Sequence, residues 1–288
     1  MAEIHHFTYG WITPVLAYAL SVLGSVLGLT CAVHARRAEH GAARAGWLTL
    51  AAFAIGGTGI WTMHFMAMLG FGVVGTDIRY DVLETAFSAL VAIVVVGVGL
   101  FIVGMGGTGR PAWWRILLGG LLAGLGVNAM HYMGMAAMRL NGEVTYDQAL
   151  VAASIVIAVV AATVALWLCQ TVRTGLAVFG AALVMGVAVN GMHFTGMRAM
   201  SVELGSHQSI SGATASALIV PIVLAVIFVV VGLVYAVLAA PTEEDRAAAA
   251  FLDSRMANRP PVVPEPRSAA EASSLFNASM RAYQTRRR

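Results

Sequence analysis

This 288-residue chain contains no lysine; all 17 of its basic residues are arginine, set against 14 acidic ones. Without a lysine amine no Schiff base to a chromophore can form, so the chemistry of the seven-helix retinal proteins is excluded. Charge of either sign is scarce. Charged residues make up 11% and hydrophobic ones 59%, where a soluble domain carries about 25% and 45–50%. Cysteine is limited to Cys31 and Cys169, both in apolar runs, and they read as reduced, buried small hydrophobes rather than a disulfide or a metal pair. No carboxylate lies in the interior of an apolar segment, which argues against Mg, Ca, Mn or a di-iron site. The start, MAEIHHF, lacks a basic stretch, and no small-residue cleavage site follows, so the first apolar segment is expected to be a retained helix. No nucleophile–base pair, glycine-rich phosphate loop or carboxylate pair occurs, so neither enzymatic activity nor a nucleic-acid partner is expected.

What is present is apolar length. Seven segments, near 11–34, 46–70, 83–105, 113–138, 149–172, 175–200 and 215–239, each reach the ~20 residues needed to cross a bilayer. In lipid only helices or closed barrels satisfy their backbone, and continuous runs of this kind imply helices. The expected fold is therefore all-α, a polytopic membrane protein over residues 1–240. The loops after the first, third and fifth segments carry Arg36, Arg37, Arg44, Arg110, Arg115 and Arg173; the alternate loops carry only Arg79, Arg139 and Arg198. The positive-inside rule then puts the N-terminus outside and the C-terminus inside. Residues 241–288, rich in Ala, Arg, Glu and Pro, read as a largely disordered cytoplasmic tail. Helices are possible after Thr242 and from Ser268, where Glu271 gives capping-box spacing.

An internal repeat organises the membrane part. Residues 57–71 read GTGIWTMHFMAMLGF, 124–138 read GLGVNAMHYMGMAAM and 186–200 read GVAVNGMHFTGMRAM. Each has Gly seven before a histidine, Met directly before it, an aromatic directly after it and Met four after it. The histidines, His64, His131 and His193, recur every two helices, so six helices form three pairs and the seventh is left over. The connecting sequences IRYD (78–81) and VTYD (144–147) also match, each ending in an Asp able to cap the next helix.

All three histidines fall near the ends of even-numbered helices and so at one depth, toward the outer face. Helical periodicity aligns the residues at −7, −3, 0, +4 and +7 on one stripe: Gly124, Asn128, His131, Met135 and Met138; Gly186, Asn190, His193, Met197 and Met200; and, with departures, Gly57, Trp61, His64, Met68 and Phe71. The glycines suit close helix approach, the asparagines suit orienting an imidazole from the second shell, and Met68, Met135 and Met197 can add thioethers to the same site. Met63, Met130 and Met192 lie about a quarter turn away. Ten of the 15 methionines fall in these windows, and ionisable groups inside a membrane are costly enough to be functional by default. Imidazole with thioether suits copper, Cu(I) especially. Zinc would use the imidazoles but not the sulfurs. Haem b, held axially by His or His/Met, is the competing cofactor. His5 and His6 are read as exposed polar residues or a lid on the same side, and His34, His40 and His207 as loop histidines.

The segments MHFMAM, MHYMGM and MHFTGM resemble the MHYT-domain family, a bacterial integral-membrane sensor module, over roughly residues 7–240. The resemblance implies copper bound near the outer face by His64, His131 and His193 with Met63, Met130, Met192, Met68, Met135 and Met197. It also implies detection of a diatomic gas (O2, CO or NO) in the bacterial cytoplasmic membrane. The signature threonine survives only as Thr195, with Met66 and Met133 in its place elsewhere. Relatives often carry cyclic-di-GMP or DNA-binding domains, whereas only a short tail follows here, so a signal is expected to leave through a separate partner. The other readings are a membrane copper-handling protein and a haem-binding electron-transfer protein.

Overall fold

Each of the seven apolar runs forms one long helix in the computed structural model, which describes residues 2–5, 7–106, 112–205, 210–241, 243–257 and 269–286. The helices are α1 (Ile12–Arg37), α2 (Gly41–Met68), α3 (Val82–Gly104), α4 (Trp113–Ala136), α5 (Gln148–Thr171), α6 (Gly175–Arg198) and α7 (Ala215–Leu238), all long and apolar enough to span a membrane. The chain is thus an all-α, polytopic membrane protein. His6, Arg110, His207, Thr242 and Ser268 lie outside the described residues.

The caps were legible. Asp81 accepts hydrogen bonds from the backbone N–H groups of Leu83 and Glu84, and Asp147 from those of Ala149 and Leu150. Each satisfies two of the four N–H groups that a helix start leaves open.

Two local features depart from the expectation. The even helices end two residues before their expected bounds, Met138 and Met200 pass from expected helix into strands, and the connections form short strands: β1 (Ile4–His5), β2 (Gly72–Val73), β3 (Arg79–Tyr80), β4 (Met138–Arg139), β5 (Gly142–Tyr146) and β6 (Met200–Leu204). They pair antiparallel as β1–β2, β3–β4 and β5–β6, with Tyr80 opposite Met138 and Tyr146 opposite Met200. Second, α2 is a π-helix over Phe53–Thr62. Its FAIGGTGIWT sequence has three glycines to weaken the α-form, and the Thr62 hydroxyl donates to the carbonyl five residues back, on Gly57. The wider turn shifts the register. Gly56, not the expected Gly57, is the residue against α3: a Cβ on Gly56 would lie 2.7 Å from the Ala92 carbonyl oxygen, whereas one on Gly57 would have an ordinary contact with Ile93.

Helices α1–α6 form a ring in sequence order, α1 closing against α6, while α7 packs outside against α2 and α1. The ring has three-fold pseudo-symmetry. The backbone N–H groups of Thr8, Asp81 and Asp147, just before α1, α3 and α5, donate to the carbonyls of Gly70, Ala137 and Ala199, each six residues after a motif histidine. The left-over helix is therefore α7. Both cysteines are buried and unbridged. His34, expected in a loop, ends α1 and stacks on Trp47 with ring centroids 4.6 Å apart; His40 precedes α2 and is exposed, as is His5 in β1.

Residues 240–288 form a separate unit. Its described residues include two helices, α8 (Glu243–Ala257) and α9 (Ala269–Thr285), beginning directly after Thr242 and Ser268, the two places where the sequence allowed them. Both are alanine-rich, and alanine is the strongest helix former.

Candidate metal centre

The motif histidines come from the last turns of α2, α4 and α6, and the ring brings them to one point. His64 and His193 place their Nδ1 atoms 3.0 Å apart, and His64 and His131 theirs 3.1 Å apart. Ring centroids are 4.9–5.1 Å apart and the planes are nearly perpendicular, at 77–87°. Exposure is 1%, 0% and 1% for His64, His131 and His193. Among the described residues this is the one group of three or more His, Cys, Asp or Glu side chains within reach of a single ion.

Two residues that sequence reasoning passed over seat these rings. Gly134 and Gly196 stand three positions after His131 and His193. A Cβ on Gly134 would fall 2.3 Å from His64 Nε2, and one on Gly196 the same distance from His131 Nε2. Each glycine thus backs the imidazole of the preceding repeat and turns its Nδ1 inward. The position in the first repeat is Ala67. The signal was present as a Gly at +3 in two motifs, but its meaning depends on a neighbouring helix.

Neither His64 Nε2 nor His131 Nε2 has a hydrogen-bond partner. The asparagines turn elsewhere than the expected imidazoles. Asn128 donates to Ser154 Oγ on α5, and Trp61, its counterpart, donates to Ser88 Oγ on α3. Asn190 bonds back to the Gly186 carbonyl in its own helix, and its Oδ1 is buried without a partner. The reason is the ring's closure: α3 and α5 each offer a serine seven residues after the capping Asp, whereas the helix beside α6 is α1. Ring orientation comes from glycine backing.

The methionines divide into two sets. Met68, Met135 and Met197 are buried in one cluster with Met138, Met200, Phe65, Phe71 and Tyr80, a sulfur-rich layer one turn beyond the histidines, toward the strands. Met63 instead packs with Ala17 and Ala67, and Met130 and Met192 lie in the main core.

The donor set fits a single metal ion. Three neutral imidazoles turning their Nδ1 atoms together bring lone pairs into contact, and one proton on His64 can serve only one of its two neighbours. A cation between them removes that conflict. With bonds of about 2.0 Å to each nitrogen it needs donors roughly 3.3–3.5 Å apart, which these rings reach by moving a few tenths of an ångström.

A buried three-histidine cluster in a helical bundle of three repeats defines a class of repeat-built membrane module. The chain belongs to the MHYT family, described as the bacterial signalling protein N-terminal repeat, which matches residues 57–119, 124–182 and 186–250. The matched units open on Gly57, Gly124 and Gly186. The chain is 37% identical over 230 residues, 76% of its length, to MucR of Pseudomonas aeruginosa, a bifunctional diguanylate cyclase/cyclic di-GMP phosphodiesterase. It is 36% identical over 166 residues to NbdA, a cyclic di-GMP phosphodiesterase of the same organism, and 29% identical over 169 residues to the signalling protein YkoW of Bacillus subtilis. The matched region spans about a third of MucR, 33%, and 20% of NbdA and of YkoW. No solved structure matches the chain.

Proposed function

We propose that this chain is the sensory part of a membrane signalling system and that His64, His131 and His193 hold a copper ion. The convergence of three buried Nδ1 atoms beneath a layer of methionine supports this reading most directly. When bound, the copper supplies a coordination position for a small neutral ligand such as O2, CO or NO, and a one-electron redox couple. The protein's part is to hold the imidazoles at fixed angles through Gly134 and Gly196, to exclude water with the Met68, Met135 and Met197 layer, and to offer thioethers that favour the softer Cu(I). Met63, Met130 and Met192 support the core from behind the site. Because α2, α4 and α6 each contribute one ring, a change at the centre bears on three helices at once. Packed helices answer such a change by discrete shifts of about 1–2 Å.

The arginine pattern supports a motif end facing outward in the bacterial cytoplasmic membrane and an arginine-rich end facing the cytoplasm. There the connecting loops and residues 241–288 would meet a signalling partner, and the cyclic-di-GMP relatives suggest that pathway. A copper-handling role is the second reading, favoured by the methionine layer over the centre.

The test is metal analysis and optical spectroscopy of protein purified in lipid nanodiscs. Copper without haem absorption, lost in the His131→Ala/His193→Ala double variant, supports copper binding; haem absorption overturns it. A spectral change of the copper-loaded protein on adding CO or NO supports sensing, and its absence supports handling.

A further inference from the structure

The three residues one helical turn before the motif histidines, Ile60, Val127 and Val189, line a common cavity of about 50 Å³. They come from α2, α4 and α6 at equivalent positions, so the cavity lies about one helical turn from the histidines, on the side away from the methionine layer. Met185 and Met192 close it from α6, and α5 contributes the alanines 158, 161, 162 and 165. The small alanine side chains on this face of α5 leave the space. One hydroxyl, Ser25, is the sole polar side chain in the lining, and no charge is present.

We infer that this partly open pocket is a binding site for a small apolar gas molecule, separate from the metal-binding nitrogens and one helical turn from them. Its volume is a few times the ~10–15 Å³ that one water-sized molecule needs, and a buried water needs two to four polar partners where this lining offers one. Apolar cavities of this kind stay dry and take up xenon or small apolar ligands. The room suits a molecule of two or three atoms and excludes an acyl chain or a haem. A diatomic gas dissolves in the bilayer, and the pocket would hold it about one helical turn from the three rings. The biological ligand rests on the sensor reading; the cavity's occupancy does not.

Xenon is the probe, with 129Xe NMR on the metal-free, full-length protein in nanodiscs. One saturable xenon site is expected in the wild type. It should be lost in Ala162→Leu, which fills the chamber, and strengthened in Val127→Ala, which enlarges it; copper content after reloading, measured separately, should stay at the wild-type level in both. Should Ala162→Leu fail to fold, Ala161→Val provides a smaller filling with the same expected weakening. Absence of a saturable site in the wild type, or a site indifferent to both filling and enlargement, overturns the inference. Loss of copper binding with xenon binding intact would instead overturn the metal reading alone.

Discussion

His64 Nε2 rests against the backbone of Gly134, so close that a methyl group on that glycine would stand 2.3 Å away. A residue on one repeat thereby sets the ring angle of the histidine on the one before it, and Gly196 does the same for His131. Replacing either glycine by alanine forces the imidazole from its position at a cost of roughly 1–3 kcal/mol, as for other overpacked interiors. Gly134→Ala and Gly196→Ala should each lower both thermal stability and copper content. Ala67→Gly, at the third equivalent position, should leave copper content unchanged and cost only the ordinary helical Ala-to-Gly penalty of about 1 kcal/mol. Melting curves with metal analysis on the three variants check this.

The two methionine sets should behave differently. Leucine is close to methionine in volume, and such exchanges cost about 1.5 kcal/mol or less. Met68→Leu, Met135→Leu and Met197→Leu should keep the fold and reduce Cu(I) affinity by at least roughly tenfold, a loss that even outer-shell changes produce. Met130→Leu and Met192→Leu should leave it unchanged. Competition titrations with a Cu(I) chelator measure the difference.

The asparagines also part company. Asn128 completes a hydrogen bond to Ser154, and polar contacts between membrane helices average about 0.6 kcal/mol by double-mutant cycle. A coupling of that size is expected between Asn128→Ala and Ser154→Ala. Asn190 leaves its carbonyl oxygen buried and unpaired, so Asn190→Leu should cost less stability than Asn128→Leu. Denaturation of the four single variants and of the Asn128→Ala/Ser154→Ala double variant in one detergent reads out both.

At the motif end of the bundle, capping gives a pH dependence. The Asp81 carboxyl is held below its ordinary value, first by the hydrogen bond from the Glu84 backbone N–H and then by Arg139, which lies 3.3 Å from it and 2.9 Å from Glu84. Because the folded protein favours the charged form, this stabilisation is complete above the unfolded carboxyl's pKa of about 3.9. It is lost as pH falls through the lower folded value. Asp81→Ala should lower stability at neutral pH, as loss of other N-caps does, and its deficit against the wild type should shrink below pH 4. Melting temperatures from pH 6 to pH 3 provide the comparison.

Much of this protein is written locally. The seven helices follow from apolar runs that must satisfy their backbone in lipid, Asp81 and Asp147 announce their helices as caps, and the repeated Met-His stripe marks His64, His131 and His193 because an imidazole in such a setting needs a reason. The π-segment was not legible: an α- or π-turn over FAIGGTGIWT differs by one residue in register, and packing against α1 and α3 chooses between them. Nor was the asparagine pairing, since Asn128 meets a serine and Asn190 does not only because α1 closes the ring beside α6. Periodicity specifies which face of a helix a residue occupies; which neighbour stands across from that face, and hence that Gly134 and Gly196 back the imidazoles and alanines of α5 leave a pocket about one helical turn from them, is decided by contacts between segments far apart in the chain.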